Sequence, residues 1–353
     1  MRENKNFPLL IKIAMVYAGT VIGAGFASGQ ELMQFFMVFG SKGLWGIALA
    51  TVLFIYLGAM IMLLATKLRT ANYVELLQRL MGKRAAGLMD LLTLIMLPGG
   101  LVVMLAGSGA VFAEQLGLPN WQGTMLAVLI TCIVLIKGLP GILNFNLVLV
   151  PLKIVVLAAV SFLAIQHQGG LPSPFPELLE YKRVAANWGW SSILYVSYNM
   201  VVPVALLSSL GRSVPLKTGV AGGALGGLIL GVTAGMITLA GLSFYPSVLN
   251  CQVPVLFISR PAGLILQSVL GVLIWIAILT TTIADAHGLA SRLAPGEGIG
   301  YKVVGIGATL ISIPLASLNF NFLVRLLYPL FGYAGLILLL ALLIAPFRKL
   351  RVD

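Results

Sequence analysis

Charged side chains are rare in this sequence, and a few of them lie inside or beside long apolar segments. Only 9% of the 353 residues are charged, whereas 59% are hydrophobic. An ionisable group in such surroundings is costly unless it pairs, binds a ligand or exchanges a proton. Lys153, in the middle of PLKIVV, is the clearest case, because a buried lysine can act as a proton carrier. The other candidates are Glu31, Asp90, Glu114, Asp285 and Arg325.

The composition excludes several classes of protein. A soluble globular chain carries about 25% charged residues, so this chain could not cover its surface in water. A soluble enzyme, a disordered chain and a nucleic-acid-binding protein are therefore excluded, despite a net charge of +12. The sequence contains no zinc motif, phosphate-binding loop or nucleophile–base set, so we expect neither catalysis nor a cofactor. Cys132 and Cys251 lie in apolar surroundings and are predicted to be packing residues.

Ten apolar segments, separated by glycine, proline and charge, are predicted to be membrane-spanning helices. They cover roughly residues 9–39, 43–66, 86–114, 121–137, 140–166, 188–210, 217–244, 261–292, 300–317 and 320–346. Residues 72–82 predict a short amphipathic helix in a loop, and residues 168–187 form the longest polar connection.

The basic residues predict the orientation of these spans. With the N-terminus inside, 16 of the 22 lysines and arginines fall on the inner side and four on the outer side. Lysine and arginine accumulate in cytoplasmic loops. We therefore expect a multi-pass protein of the cytoplasmic membrane with both termini in the cytoplasm. The net charge then reflects topology and not a nucleic-acid partner.

A short repeat suggests that the chain has two related halves. The tetrapeptide LNFN occurs at residues 143–146, in span 5, and again at 318–321, at the start of span 10. Because five spans separate the copies, the second half would lie inverted in the membrane. Many secondary transporters have this inverted-repeat architecture. We therefore predict a single domain over residues 1–353, with repeats at about 9–167 and 188–346.

Spans 1 and 6 are predicted to be broken near the middle of the membrane. Span 1 contains four glycines within residues 19–29, and the corresponding residues of the second half, 194–204, read LYVSYNMVVPV with Pro203 inside the span. Glycine and proline oppose a continuous helix. A break exposes N–H groups that suit a carboxylate and carbonyl groups that suit a cation. The alternative is that the glycines only allow close packing and that Pro203 is a plain kink.

The segment GTVIGAGFASGQE (19–31) resembles the first span of the amino acid–polyamine–organocation superfamily, which has the LeuT-type fold. It looks most like the YkvI-type membrane proteins of that superfamily, and YPLFGYAGL (328–336) in span 10 resembles them too. The resemblance implies an all-α protein with a five-plus-five inverted repeat and a substrate held between spans 1, 3, 6 and 8. The candidate substrate-binding residues are Val21, Gly23, Ala24, Gly25, Ser197, Tyr198 and Asn199.

The resemblance also implies a cation site between spans 1 and 8. In sodium-coupled members, span 8 supplies a carbonyl and two adjacent hydroxyls, and Ala277-Ile278-Leu279-Thr280-Thr281 fits that pattern. The ligands of a sodium ion would be the carbonyls of Gly19, Ile22 and Ala277 and the hydroxyls of Thr280 and Thr281. The alternative is that both threonines hydrogen-bond to their own helix.

Lys153 offers a different coupling ion. Some proton-coupled members of the superfamily have a span-5 lysine whose ammonium group takes the place of sodium, so Lys153 is a candidate proton carrier. Asp285 follows Thr281 by four residues and shares its helical face. It could pair with Lys153 or join the cation site. A permanent ion pair of Lys153 with no role in coupling is the third possibility.

The remaining charged residues have other candidate roles. Glu31 lies almost two turns beyond the break in span 1; it could bind an amino group of the substrate, gate the outer side with Arg325, or lie in an outer vestibule. Asp90 and Glu114 bracket span 3 and are expected near water.

In span 7, glycines recur every fourth residue and predict close helix packing. They are Gly219, Gly223, Gly227, Gly231 and Gly235.

The sequence thus favours a secondary transporter of a small zwitterionic solute, coupled to protons or sodium. The alternative is a ligand-sensing membrane subunit, since spore-germinant receptor subunits resemble this fold. The expected partners are a small-molecule solute and the lipid bilayer.

Overall fold

The computed structural model describes residues 3–70, 72–137, 142–169, 183–296 and 298–347, with no account of the side chains of residues 3–6, 142–148 and 347. Across these residues the chain forms helices and no strand. Most of the predicted polar connection at 168–187 lies outside the described residues, as do the LNFN side chains at 143–146.

The helices agree with the ten predicted spans. Span 1 consists of α1 (Glu3–Val21), α2 (Ala24–Ser28) and α3 (Gln30–Phe35); spans 2 to 5 are α4 (Lys42–Lys67), α5 (Tyr73–Leu116), α6 (Asn120–Lys137) and α7 (Ile142–Gln168). Span 6 consists of α8 (Trp188–Asn199) and α9 (Val201–Ser209); span 7 is α10 (Leu216–Ser243), and the next loop contains α11 (Pro254–Ile258). Span 8 is α12 (Leu264–Leu293), span 9 is α13 (Ile299–Ile311) with α14 (Ile313–Ala316), and span 10 is α15 (Phe320–Ile344).

Length and hydropathy support this count. Eight of the described helices are long and apolar enough to cross a membrane, and the bent pair Trp188–Ser209 makes a ninth. The shorter apolar helix Phe7–Val21 forms the first half of span 1. The amphipathic helix predicted at 72–82 is present as the first part of α5, which kinks at Gly82 (φ 80°, ψ 166°). The loop helix α11 was not predicted.

Both predicted breaks are present. Span 1 is interrupted at Ile22–Gly23 and again at Gly29, which has a left-handed backbone (φ 80°). A side chain at Gly29 would also press on Val255 of α11, 2.7 Å from the position of its Cβ. Span 6 bends by 42° at Met200, within the predicted window of residues 194–204. The half-helix α2 has only five residues, so its dipole is small. The dipole therefore adds little to the predicted binding of a carboxylate at the N-terminus of this half-helix.

Four of the five spans of the first half pack against their counterparts in the second half. Helices α4 and α10 (spans 2 and 7) pack together, as do α5 with α12 (3 and 8), α6 with α13 (4 and 9), and α1 with α9 (1 and 6). Spans 1, 2, 6 and 7 form one group, and spans 3, 4, 8 and 9 form a second. Helix α7 touches α1, α10 and α12, so span 5 contacts both groups beside the break in span 1.

The glycine stripe of α10 is a close-packing surface. A Cβ at Gly227 would lie 2.5 Å from backbone atoms of Phe54 and Ile55 in α4, and Gly223 faces the backbone of Gly58 in the same way. Backbone atoms cannot move aside as a flexible side chain can. The predicted packing role of this stripe is confirmed.

We expect Gly227→Ala to lower the thermal stability of the protein. Gly235→Ala, a substitution at another position of the same stripe, should leave the thermal stability unchanged or raise it slightly. Overpacking costs about 1–3 kcal/mol, whereas a Cβ at Gly235 would make only an ordinary 3.6 Å contact with Ile47. Thermal unfolding of the purified variants measures this. Equal midpoints for the two variants would contradict the packing.

Candidate functional site

The break in span 1 leaves the carbonyl of Ile22 without a donor in its own helix, and a residue of another span supplies the hydrogen bond. The N–H of Gly23 turns back to the carbonyl of Val21 (2.7 Å), and the Gly23 backbone is extended. The carbonyl of Ile22 accepts its hydrogen bond from the ammonium group of Lys153, with Nζ at 2.7 Å. The structure therefore brings the span-5 lysine to the carbonyl end of the broken helix.

The position of α7 explains why Lys153 points inward. Leu152 and Val155 are 45% and 64% exposed on the outer surface of α7, whereas Lys153 is 4% exposed. One turn earlier, Val150 lies against α1, where its Cγ2 is 2.7 Å from the place of a Cβ on Gly19. A glycine at position 19 thus lets α7 approach closely enough for the ammonium group to reach the break.

Span 8 lies on the other side of the same break. The hydroxyl of Thr281 is 3.8 Å from the place of a Cβ on Gly23, which puts α12 beside the break. The hydroxyls of Thr280 and Thr281 both donate to the carbonyl of Ala277, at 3.0 and 2.9 Å. In this conformation both threonines therefore hydrogen-bond to their own helix, as the alternative to a sodium site proposed. Each hydroxyl oxygen keeps its lone pairs for a cation.

Asp285 points away from Lys153. Its Oδ2 is 2.7 Å from the place of a Cβ on Gly100 in α5, and the side chain is half-buried between spans 3 and 8. Among the described residues the ion pairs are Arg79–Glu75, Arg212–Glu75 and Arg292–Asp90. The predicted Lys153–Asp285 pair is therefore absent from this structure, and Lys153 forms no ion pair with any other described residue.

Glu31 is buried beside the break and not in an outer vestibule. It is 5% exposed, and its Oε1 takes the space that a side chain on Gly25 would need. The hydroxyl of Tyr198 donates to Oε2 at 2.5 Å, and the polar groups of Asn199 and Tyr328 also face this carboxylate. Elements α2, α3, α8 and α15 thus meet at one carboxylate.

The predicted span-6 residues divide between two roles. Tyr198 faces Glu31, and Asn199 donates to the carbonyl of Tyr195 at 3.0 Å. Ser197 instead donates to the carbonyls of Leu194 and Gly332, at 2.8 and 2.6 Å, which ties α8 to α15. This geometry favours a packing role for the Ser197 hydroxyl; its role in substrate binding stays a prediction.

The predicted Glu31–Arg325 gate pair is not formed, because the carboxylate turns inward to Tyr198. Arg325 is half-buried in α15. Asp90 lies at the end of span 3 as predicted, where its side chain is 46% exposed and pairs with Arg292.

Glu114 has a role that its sequence position did not reveal. Its carboxylate accepts the N–H groups of Gln252 and Val253, at 2.5 and 3.1 Å. These two residues directly precede α11, which packs on α2 and α3. Glu114 therefore holds the loop between spans 7 and 8 over α2 and α3, the second half of span 1.

Two tyrosines near the breaks, Tyr17 and Tyr328, were missed as well. Tyr17 donates to the carbonyl of Phe54 at 3.0 Å, and its hydroxyl lies 3.2 Å from the sulfur of Met200, at the bend in span 6. The rings of Tyr198 and Tyr328 lie with their centroids 5.1 Å apart. Tyrosine is common in apolar spans, so its presence alone gave no signal; the YPLFGYAGL segment pointed to Tyr328 only as part of the resemblance.

A cavity of about 680 Å³ lies elsewhere, where the ends of spans 2 and 6 meet the start of span 7. Arg69, Arg79, Arg212 and Glu75 line it, and Glu75 binds both Arg79 and Arg212. These side chains are separate from the residues at the breaks.

Two curated proteins of Bacillus subtilis (strain 168) are similar to this chain over nearly their whole length. The uncharacterized membrane protein YkvI is 29% identical over 346 residues, which covers 96% of this chain and 97% of YkvI. The uncharacterized protein YyaD is 29% identical over 340 residues, covering 95% and 96%. No family model matches the chain.

Solved transporter structures share the fold. The inward-facing conformation of Mhp1 matches with a TM-score of 0.65 over 92% of this chain and 73% of Mhp1, at 13% identity. A mutant of the Eremococcus coleocola manganese transporter matches with a TM-score of 0.55 over 96% and 77%, at 15% identity. The chain is therefore an all-α membrane protein with the LeuT-type fold, a five-plus-five inverted repeat whose spans 1 and 6 are broken.

We expect Glu114→Gln to loosen the loop that contains α11. A hydrogen bond to a charged group contributes about 1.5–3 kcal/mol, so amide exchange in residues 251–258 should rise roughly tenfold or more. Hydrogen–deuterium exchange in nanodiscs measures it. Asp90→Asn, which removes a carboxylate elsewhere in α5, is the matched control. Unchanged exchange in Glu114→Gln would contradict the anchoring role.

Proposed function

We propose that the chain is a secondary active transporter that carries a small zwitterionic solute, such as an amino acid or a related amine, by alternating access. It is placed in the cytoplasmic membrane with both termini inside, as the basic residues predict. The observation that carries the proposal is the Lys153 ammonium group on the Ile22 carbonyl, at the break in span 1 of a LeuT-type fold. The transporter neighbours and the site between spans 1, 6 and 8 support it.

The breaks supply the solute site. Broken spans of transporters bind substrates near the middle of the membrane through backbone groups. Val21, Gly23, Ala24 and Gly25 flank the first break, and Tyr198 approaches it from span 6 through Glu31. Backbone N–H and carbonyl groups at the break suit a small solute that carries both a carboxylate and an amine.

The coupling ion is a proton carried by Lys153. The Ile22 carbonyl, one of the five predicted sodium ligands, already accepts from the ammonium group. A sodium ion at the same oxygen would be repelled by the charged lysine. Sodium at Gly19, Ile22, Ala277, Thr280 and Thr281 is the alternative, and it requires Lys153 to be neutral or displaced.

Protonation of Lys153 biases the position of span 5. A charge-assisted hydrogen bond is roughly twice as strong as a neutral one. The charged form therefore holds α7 against the broken span 1, and loss of the proton weakens that contact. A difference of about 1.4 kcal/mol shifts a two-state equilibrium tenfold, which is enough to link proton release to a change between inward and outward access.

Accumulation assays test the function directly. Purified protein in proteoliposomes should concentrate one or more labelled amino acids or amines under an imposed proton gradient, and less so under a sodium gradient. Ligand binding without accumulation under either gradient would contradict transport and favour the sensing alternative.

Lys153→Ala should uncouple the protein from the proton gradient. We expect the variant to exchange labelled for unlabelled solute across the membrane while losing gradient-driven accumulation. Leu152→Ala, a neighbour on the outer surface of α7, should keep both activities. Accumulation by Lys153→Ala that still follows the proton gradient would contradict the assignment.

A further inference from the structure

Glu31 is a buried carboxylate for which the described residues provide no cationic partner. It is 5% exposed, and the ion pairs among the described residues involve Glu75 and Asp90. Hydrogen bonds from neutral groups offset only part of the cost of burying a charge. An ionisable residue in this setting marks a functional site by default. Glu31 therefore needs a positive charge from a ligand, or a proton.

The surroundings of Glu31 form a built site. The Glu31 carboxylate occupies the space beside Gly25 that a Cβ at that position would need. The Tyr198 hydroxyl binds Oε2 and fixes the orientation of the group. Oε1 lies against α2, two residues after the first break, on the side where the solute is proposed to bind.

The aromatic residues around this carboxylate favour an ammonium ligand over a bare proton. The Tyr198 ring lies edge-on to the Tyr195 ring, with the two centroids 5.7 Å apart. The centroids of the Tyr198 and Tyr328 rings are 5.1 Å apart. The Tyr195 hydroxyl is buried and has no partner in the described structure. Tyrosine rings attract organic cations through their faces, and an unpaired hydroxyl offers a further hydrogen bond. Protonation of Glu31 would need neither the tyrosine rings nor the unpaired hydroxyl.

We propose that Glu31, together with Tyr198 and Tyr328, forms a subsite for a cationic amine, so that the solute is a dibasic amino acid or a diamine. This inference rests on the proposed transport site and narrows its substrate class from zwitterions to net cations. Glu31 contributes the opposite charge, and Tyr198 positions it.

Matched probes test the subsite. L-lysine and L-norleucine have the same carbon skeleton and differ by the terminal ammonium group. We expect the full-length protein in nanodiscs to bind L-lysine at least tenfold more tightly than L-norleucine, measured by calorimetry. In Glu31→Gln the ratio should fall to about one, whereas Asp90→Asn, a carboxylate removed outside the site, should keep it.

Two further variants keep the test decisive if Glu31→Gln does not fold. Glu31→Asp retains the charge and should preserve a preference for L-lysine, and Tyr198→Phe should weaken L-lysine binding several-fold without changing that of L-norleucine. Equal affinities for the two probes, binding of neither, or an unchanged ratio in Glu31→Gln would overturn the inference.

The same probes separate this inference from the transport proposal. Bound L-lysine that is never accumulated under a gradient would contradict transport and leave the subsite standing. Accumulation of neutral amino acids that is unaffected by Glu31→Gln would contradict the subsite and leave transport standing.

Discussion

The carbonyl of Ile22 is the constraint around which the centre of this protein is arranged. A helix broken in the middle of a membrane exposes polar backbone groups where no water is available, and each unsatisfied group is costly. Here the donor comes from Lys153 on a different span. A buried ammonium group and an orphaned carbonyl are each unfavourable alone, so the two stabilise one another. The break and the lysine are therefore best understood as one feature.

Close helix packing makes this contact possible. The absence of a side chain at Gly19 lets α7 approach α1, and the glycine stripe of α10 brings α4 and α10 together backbone to backbone. Spans 1 and 6 pack on each other, and Tyr17 of span 1 reaches Met200 at the bend in span 6. Span 5 touches both groups of spans, so under the proposed function a change in the charge of Lys153 would act at the boundary between them.

Much of the architecture was predictable from the sequence. Hydropathy located the ten spans, and the glycines of residues 19–29 with the half-length offset placed both breaks, because these are local consequences of composition. Contacts between distant residues were harder to foresee. The lysine at 153 was recognised as unusual, but only the packing of α7 shows that it reaches Ile22.

Two carboxylates show the limit of sequence patterns. The sequence leaves open whether Glu31 binds an amino group of the substrate, pairs with Arg325 or lies in an outer vestibule, and whether Asp285 pairs with Lys153 or joins the cation site. Helical spacing cannot choose among these, because it gives the face of a residue and not its rotamer. In the structure Glu31 folds back over Gly25, and Asp285 faces Gly100. The roles of Glu114 and Tyr328 depend on a loop and on a span far away in sequence, for which no periodic pattern exists.

The charge of the Lys153 side chain tests the central claim most directly. Nitrogen NMR of selectively labelled lysine in nanodiscs, assigned with Lys153→Ala, would follow Nζ across pH in the absence and presence of a transported solute. The account predicts that Nζ changes between ammonium and amine, and that the solute shifts the pH at which it does so. An ammonium signal that persists under every condition would contradict it.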